Sequence, residues 1–97
     1  MDLKADLHIH SIMSGHSFGT VSEISNIAAT KNLKIIAITD HGPAITGAPS
    51  ELYFRCPHMC PQEIAGVQIL FGCEANILDF SGKLDLSEDI IAGLDIA

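Results

Sequence analysis

A parallel α/β architecture with crossover helices is predicted by three features of the sequence. Strand-like apolar runs alternate with a capped amphipathic segment. One of those runs, Ile35–Ile38, is apolar at every residue, as suits a strand buried on both faces. Each of the three complete strands ends in polar residues, His8/His10, Asp40-His41 and Glu74. Alternating strands and helices form parallel sheets with right-handed crossovers. Ligand sites in such sheets lie at the carboxyl ends of the strands.

The first strand is expected over Leu3–His10, where Leu3, Ala5, Leu7 and Ile9 alternate with Lys4, Asp6, His8 and His10. Ser11–Gly19 reads as a Ser- and Gly-rich loop. Thr20-Val-Ser-Glu23 has the form of a capping box and opens a helix to about Asn32, with Val21, Ile24, Ile27 and Ala28 on one face. Leu33–Thr39 is the second strand, halted by Asp40-His41-Gly42-Pro43. The proline-rich stretch Pro43–Cys60 is expected to be irregular, with a helical turn or two in Pro61–Gly66. Val67–Cys73 is the third strand, ending at Glu74. Ile77–Phe80 and Lys83–Leu86 suggest a small hairpin around Ser81-Gly82. Ser87 caps a short helix through about Ala92, and Leu94–Ala97 begins a further strand.

Composition narrows the function. Of 97 residues, 47% are hydrophobic and 18% charged, which describes a globular chain and not a disordered one. Five Lys and Arg against twelve Asp and Glu give a net charge of −7, so direct neutralisation of a nucleic-acid backbone is not expected. Apolar runs are strand-length, short of the roughly 20 residues that span a bilayer, and no membrane association is predicted. Without an apolar leader, and with an odd number of cysteines, the expected setting is cytoplasmic with reduced thiols.

Asp6-Leu-His8-Ile-His10 is the sharpest motif. Strand alternation would set all three polar side chains on one side. Two imidazoles two residues apart can hold one metal ion, and a nearby carboxylate can orient an imidazole through its second nitrogen. An ordinary solvent-facing pair of histidines fits this motif alone about equally well. His16, Asp40-His41 and Glu74 are each weak signals. Together, however, five nitrogen and oxygen ligands fall at or just past the ends of three successive strands. Such a mixed set suits Zn, Mn or Fe better than Ca or Mg.

These residues also carry a family resemblance. Asp6-x-His8-x-His10, His16 in a Ser-Gly-His loop, Ile38-Thr-Asp-His-Gly42 and Gly72-x-Glu74-Ala-Asn76 resemble the PHP (polymerase and histidinol phosphatase) family. The similarity is nearest to its small single-domain bacterial phosphatases and runs along essentially the whole chain. It implies the N-terminal portion of a distorted (β/α)7, TIM-like barrel with a trinuclear metal site at the carboxyl rim, used to hydrolyse phosphoesters. By the same resemblance, His8, His10 and Glu74 bind one divalent ion, with Zn favoured over Mn or Fe. Glu74 bridges to a second ion, and His16 with His41 holds a third. Asp6 and Asp40 are implied to stand behind the ligands. A small phosphorylated substrate is the implied partner, its charge met by the bound cations.

Family members continue past this point and take further ligands from later strands. Residues 1–97 are therefore expected to be a partial domain, inactive alone, with open sheet edges prone to self-association. A structural, catalytically incomplete fragment and a PHP module of a DNA polymerase are the alternatives. Arg55, the only arginine, is read as structural rather than phosphate-binding. The loop glycines form no phosphate-cradling motif, and the serines 11, 14 and 17 form no triad.

A different class of site is suggested by Cys56-Pro-His58-Met-Cys60, part of a zinc knuckle. It lacks the second ligand pair that structural zinc requires, and Cys73 should point away from Glu74 into packing. Replacing Cys56 and Cys60 by alanine should leave the metal content of the protein unchanged. Elemental analysis finding one equivalent lost would establish the knuckle instead.

Overall fold

The computed structural model describes residues 4–97, so Leu3, at the start of the predicted first strand, lies outside the described residues. Four strands form one sheet in the order β1-β2-β4-β3, namely β1 (Ala5–Ile9), β2 (Ile35–His41), β3 (Glu63–Ile64) and β4 (Val67–Glu74). β1, β2 and β4 are mutually parallel, and β3 is antiparallel to β4. This is a mixed α/β sheet compatible with part of a TIM-like PHP domain.

Helix α1 (Val21–Thr30) starts where the capping box places it: the Thr20 hydroxyl accepts from the Glu23 amide, and Glu23 accepts from the Thr20 amide. It ends before Asn32, whose φ of 58° is left-handed. Its buried residues are Ser25 and Ala28, whereas Ile27 is 57% exposed. At about 100° per residue, Ile27 lies well off the arc shared by Val21, Ser25 and Ala28, so the predicted apolar face is rotated. Ala28 packs with Ile36, Ile38, Val67 and Ile69, backed by Ile9, Val21 and Ile24.

A second cluster covers the other half of the same sheet face. It joins Phe54 of α2 (Glu51–Phe54), Ile90 of α3 (Glu88–Ala92), Leu86, and Phe71 and Cys73 of β4. Alternation along β4 makes this the face opposite Glu74.

Several elements depart from expectation. β2 runs on through Asp40 and His41 because its pairing with β4 continues to the pair His41–Glu74. The stretch 43–60 contains α2 and a 3-10 turn, Pro57–Met59, since burying Phe54 against Phe71 anchors a helical turn there. Pro61–Gly66 is a hairpin arm, not helix. Ala65 and Gly66 both take positive φ, 54° and 79°, the geometry of a two-residue turn whose twist matches antiparallel strands. The 77–86 segment closes through one bridge, Ile77–Leu84, and not a full ladder. Ser87 caps α3 by position only; its hydroxyl donates to Asp89.

Ile96 makes a parallel bridge with Gly72, so the final residues do begin a strand beside β4. A Cβ on Gly72 would collide with the Ile96 carbonyl, so only glycine permits this approach. Gly72→Ala should destabilise the protein by about 1–3 kcal/mol, the usual penalty for overpacking. Denaturant unfolding that showed no loss would mean the contact between Gly72 and Ile96 is not maintained in solution.

Candidate metal centre

The site forms where three parallel strands end together. β2 and β4 pair without interruption from Ile35–Gln68 to His41–Glu74, which sets the His41 and Glu74 backbones level. β1 arrives differently. Its register passes from Asp6–Ile36 to Ile9–Ile38, three steps against two, so a bulge lies at Leu7–His8. Bulges re-aim side chains at the ends of strands.

Glu74 is the centre. His8 Nε2 lies 3.2 Å from Glu74 Oε1, His10 Nε2 3.3 Å from Oε2, and His41 Nδ1 2.7 Å from Oε2. The His10 and His41 rings meet edge-on with centroids 4.2 Å apart, and His8 sits 5.2 Å from His10. His8, His10 and Glu74 offer ligand atoms within 4.8 Å of one another, the one such cluster among the described residues. His10 Nε2 is buried and, despite its closeness to Glu74, makes no hydrogen bond. An unsatisfied buried nitrogen is costly, and a metal ion is the kind of partner that would satisfy it. Burial, reinforced by the neighbouring His41, holds the His10 imidazole below its ordinary pKa. This favours the neutral ring, the form in which imidazole binds metal.

His16 is exposed and its ring centroid is 6.1 Å from that of His41, so it sits beside the cluster and not within it. Asp40 is fully buried one residue before His41. Its oxygens accept from the Ser11 amide and hydroxyl, the Ser14 hydroxyl and the Tyr53 phenol. Asp6 departs from expectation. The bulge breaks the alternation that would align it with both imidazoles, and its carboxylate accepts from the His8 amide at 3.2 Å. It therefore meets the backbone of His8 where an imidazole contact was expected.

Two supports escaped the sequence reading. Asp85 accepts from the Asn76 amide and side chain and from the Ala44 amide, tying the loops after β2 and β4 together. Burial opposes its charge, but these hydrogen bonds outweigh it and hold the carboxyl below its ordinary range. Its carboxylate packs where a Cβ on Gly42 would stand. The Asn76 of the Glu74-Ala-Asn76 stretch was the one available signal for this clamp. Tyr53 is the second support; burial and its bond to Asp40 raise the phenol pKa, so it remains a donor.

Elsewhere, Arg55 pairs with Glu51 at 2.6 Å and lies 3.7 Å from Asp89, a link between α2 and α3. Cys56, His58 and Cys60 form no metal-ligating cluster. No helix among the described residues is long and apolar enough to cross a membrane.

The PHP domain model matches residues 6–92. The chain is 48% identical over 94 residues to a probable phosphatase of Caldanaerobacter subterraneus, covering 97% of this chain and 37% of that protein. It is 44% identical over 95 residues to a probable phosphatase of Acetivibrio thermocellus, covering 98% of this chain and 39% of that protein. A probable phosphatase of Syntrophotalea carbinolica is 40% identical over 93 residues, covering 96% and 38%. The chain thus spans well under half the length of these relatives.

Cys73 is 1% exposed beside Glu74 but on the opposite face. Burial, aided by Asp85 and Asp40, pushes its thiol up to about 12. At pH 8 only about one part in ten thousand is thiolate, so Cys73 should resist iodoacetamide until the protein is unfolded. Peptide mass spectrometry would show this directly, and rapid modification of the native protein would contradict the packing described.

Proposed function

The chain belongs to the PHP domain family, and we propose that the whole protein is a metal-dependent phosphoesterase acting on a small phosphomonoester. The observation that carries this reading is the convergence of three imidazole nitrogens, from His8, His10 and His41, within 3.3 Å of the Glu74 carboxylate. Carboxylate and imidazole do not need one another in this number. A shared carboxylate ringed by imidazoles is the kind of donor set that suits a cluster of divalent ions.

In this reading His8, His10 and Glu74 hold one ion, Glu74 reaches a second, and His41 with His16 holds a third. The ions are Zn, with Mn or Fe as substitutes. When bound, they lower the pKa of water towards neutrality and stabilise the phosphoryl oxygens. The chain's own residues prepare that role. Burial of His10 favours its neutral ring, the β1 bulge lets His8 and His10 approach one carboxylate, and the Asp85 clamp ties the adjoining loops together. Ions held there would offset the local field of a chain with net charge −7, which is how an anionic substrate would be received at these residues. The wider protein closes this sheet into a barrel and adds ligands from later strands.

Glu74→Gln keeps the size of the side chain and removes its charge. In the whole protein it should lower bound metal and reduce hydrolysis of an aryl phosphate by about 100-fold or more. A fully metallated parent protein with no turnover on any phosphoester would overturn the enzymatic reading.

A further inference from the structure

The hydrogen bonds behind His41 form a continuous path from the apolar core to the loop that carries His16. Its rigid end is Tyr53, whose ring packs on Phe54 and Phe71 with centroids 5.0 and 5.2 Å away. The phenol donates to Asp40 Oδ2 at 2.7 Å. The remaining donors to this buried carboxylate all come from the loop after β1. The Ser11 amide and Ser14 hydroxyl reach Oδ1 at 2.6 and 2.8 Å, and the Ser11 hydroxyl reaches Oδ2 at 2.8 Å. Ser14 has a second task, for its hydroxyl also accepts from the His41 amide at 3.0 Å.

Beyond Ser14 the chain has little freedom. Gly15 turns it with a φ of 79°, and a Cβ there would strike the backbone of Gly47. His16 comes next, its ring roughly perpendicular to that of His41 with centroids 6.1 Å apart. Both histidines therefore take their positions from groups bonded to Asp40. Each Asp40 oxygen holds two donors, and losing one from a buried carboxylate leaves the whole set free to readjust.

We infer that Tyr53 and Ser14 are positioning residues for the His16/His41 end of the site, acting through Asp40 and the 11–15 turn. This rests on the metal-site reading above and adds to it the residues that set the spacing of one ligand pair. A purely structural role for the same bonds would lower stability and leave metal affinity alone. The two roles are therefore separable.

The test uses the whole protein equilibrated with Zn2+ at buffered free concentrations, with zinc per chain read by elemental analysis and folding by thermal melt. His16→Ala serves as the reference for loss of that ion position. Tyr53→Phe retains the ring and its packing and removes only the hydroxyl. It should weaken zinc binding at that position by about 10-fold or more, the usual effect of removing a group that orients a ligand. The remaining zinc should be unaffected, so that the shortfall matches that of His16→Ala. Ser14→Ala should move in the same direction, and it decides the matter if Tyr53→Phe fails to fold. Zinc curves superimposable on those of the parent would overturn the inference, even with a lowered melting temperature. So would failure of both variants to fold, which would assign the cluster to folding alone. A parent that binds no zinc at all would sink the metal-site reading itself, a distinct result.

Discussion

Parallel pairing between β2 and β4 is the constraint on which the site depends. The ladder is unbroken over seven pairs and carries apolar partners such as Ile36–Ile69 and Ile38–Phe71 along most of its length. Parallel strands in register deliver their last residues at the same level, so His41 and Glu74 meet without any loop having to fold over. β1 cannot contribute by register alone. Its bulge supplies the extra residue through which both His8 and His10 reach the same carboxylate.

Two carboxylates stand on the adjacent strands β2 and β4, on opposite faces of the sheet and in opposite surroundings. Asp40 is fully buried and saturated by hydroxyl and amide donors. A carboxylate satisfied in this way organises its surroundings and has little capacity left for an ion. Glu74 is 38% exposed in its side chain and ringed by imidazoles. Its lone pairs face groups that would themselves be metal ligands. The sheet thus sets the two environments on opposite faces: Cys73 and Phe71 point into the helix-covered core, and Glu74 points out of it.

Much of this was legible from residue pattern. The capping box at Thr20 and Glu23, the apolar run of β2 and the β4 strand ending at Glu74 all depend on local chemistry, which neighbours in sequence largely decide. The errors fall where longer-range packing intervenes. Ala65-Gly66 carries no strong turn signature, and only pairing with β4 makes residues 63–64 a strand. Phe54 becomes an anchor because Phe71 lies beneath it, which no spacing near residue 54 announces. Asp85 lies nine residues from its partner Asn76 and 41 from Ala44, beyond the reach of any local motif.

The sequence by itself marked His8, His10, His41 and Glu74 at or just past strand ends and His16 in the loop after β1, because periodicity marks those ends. It also determined the α/β class, through the alternation of apolar runs with a capped helix. Tertiary structure decided which of those side chains meet. Convergence on Glu74 rests on a register and a bulge, and each of these is a relation between segments distant in sequence. Periodicity describes one segment at a time. The distances that make a site arise only when packing brings the segments together.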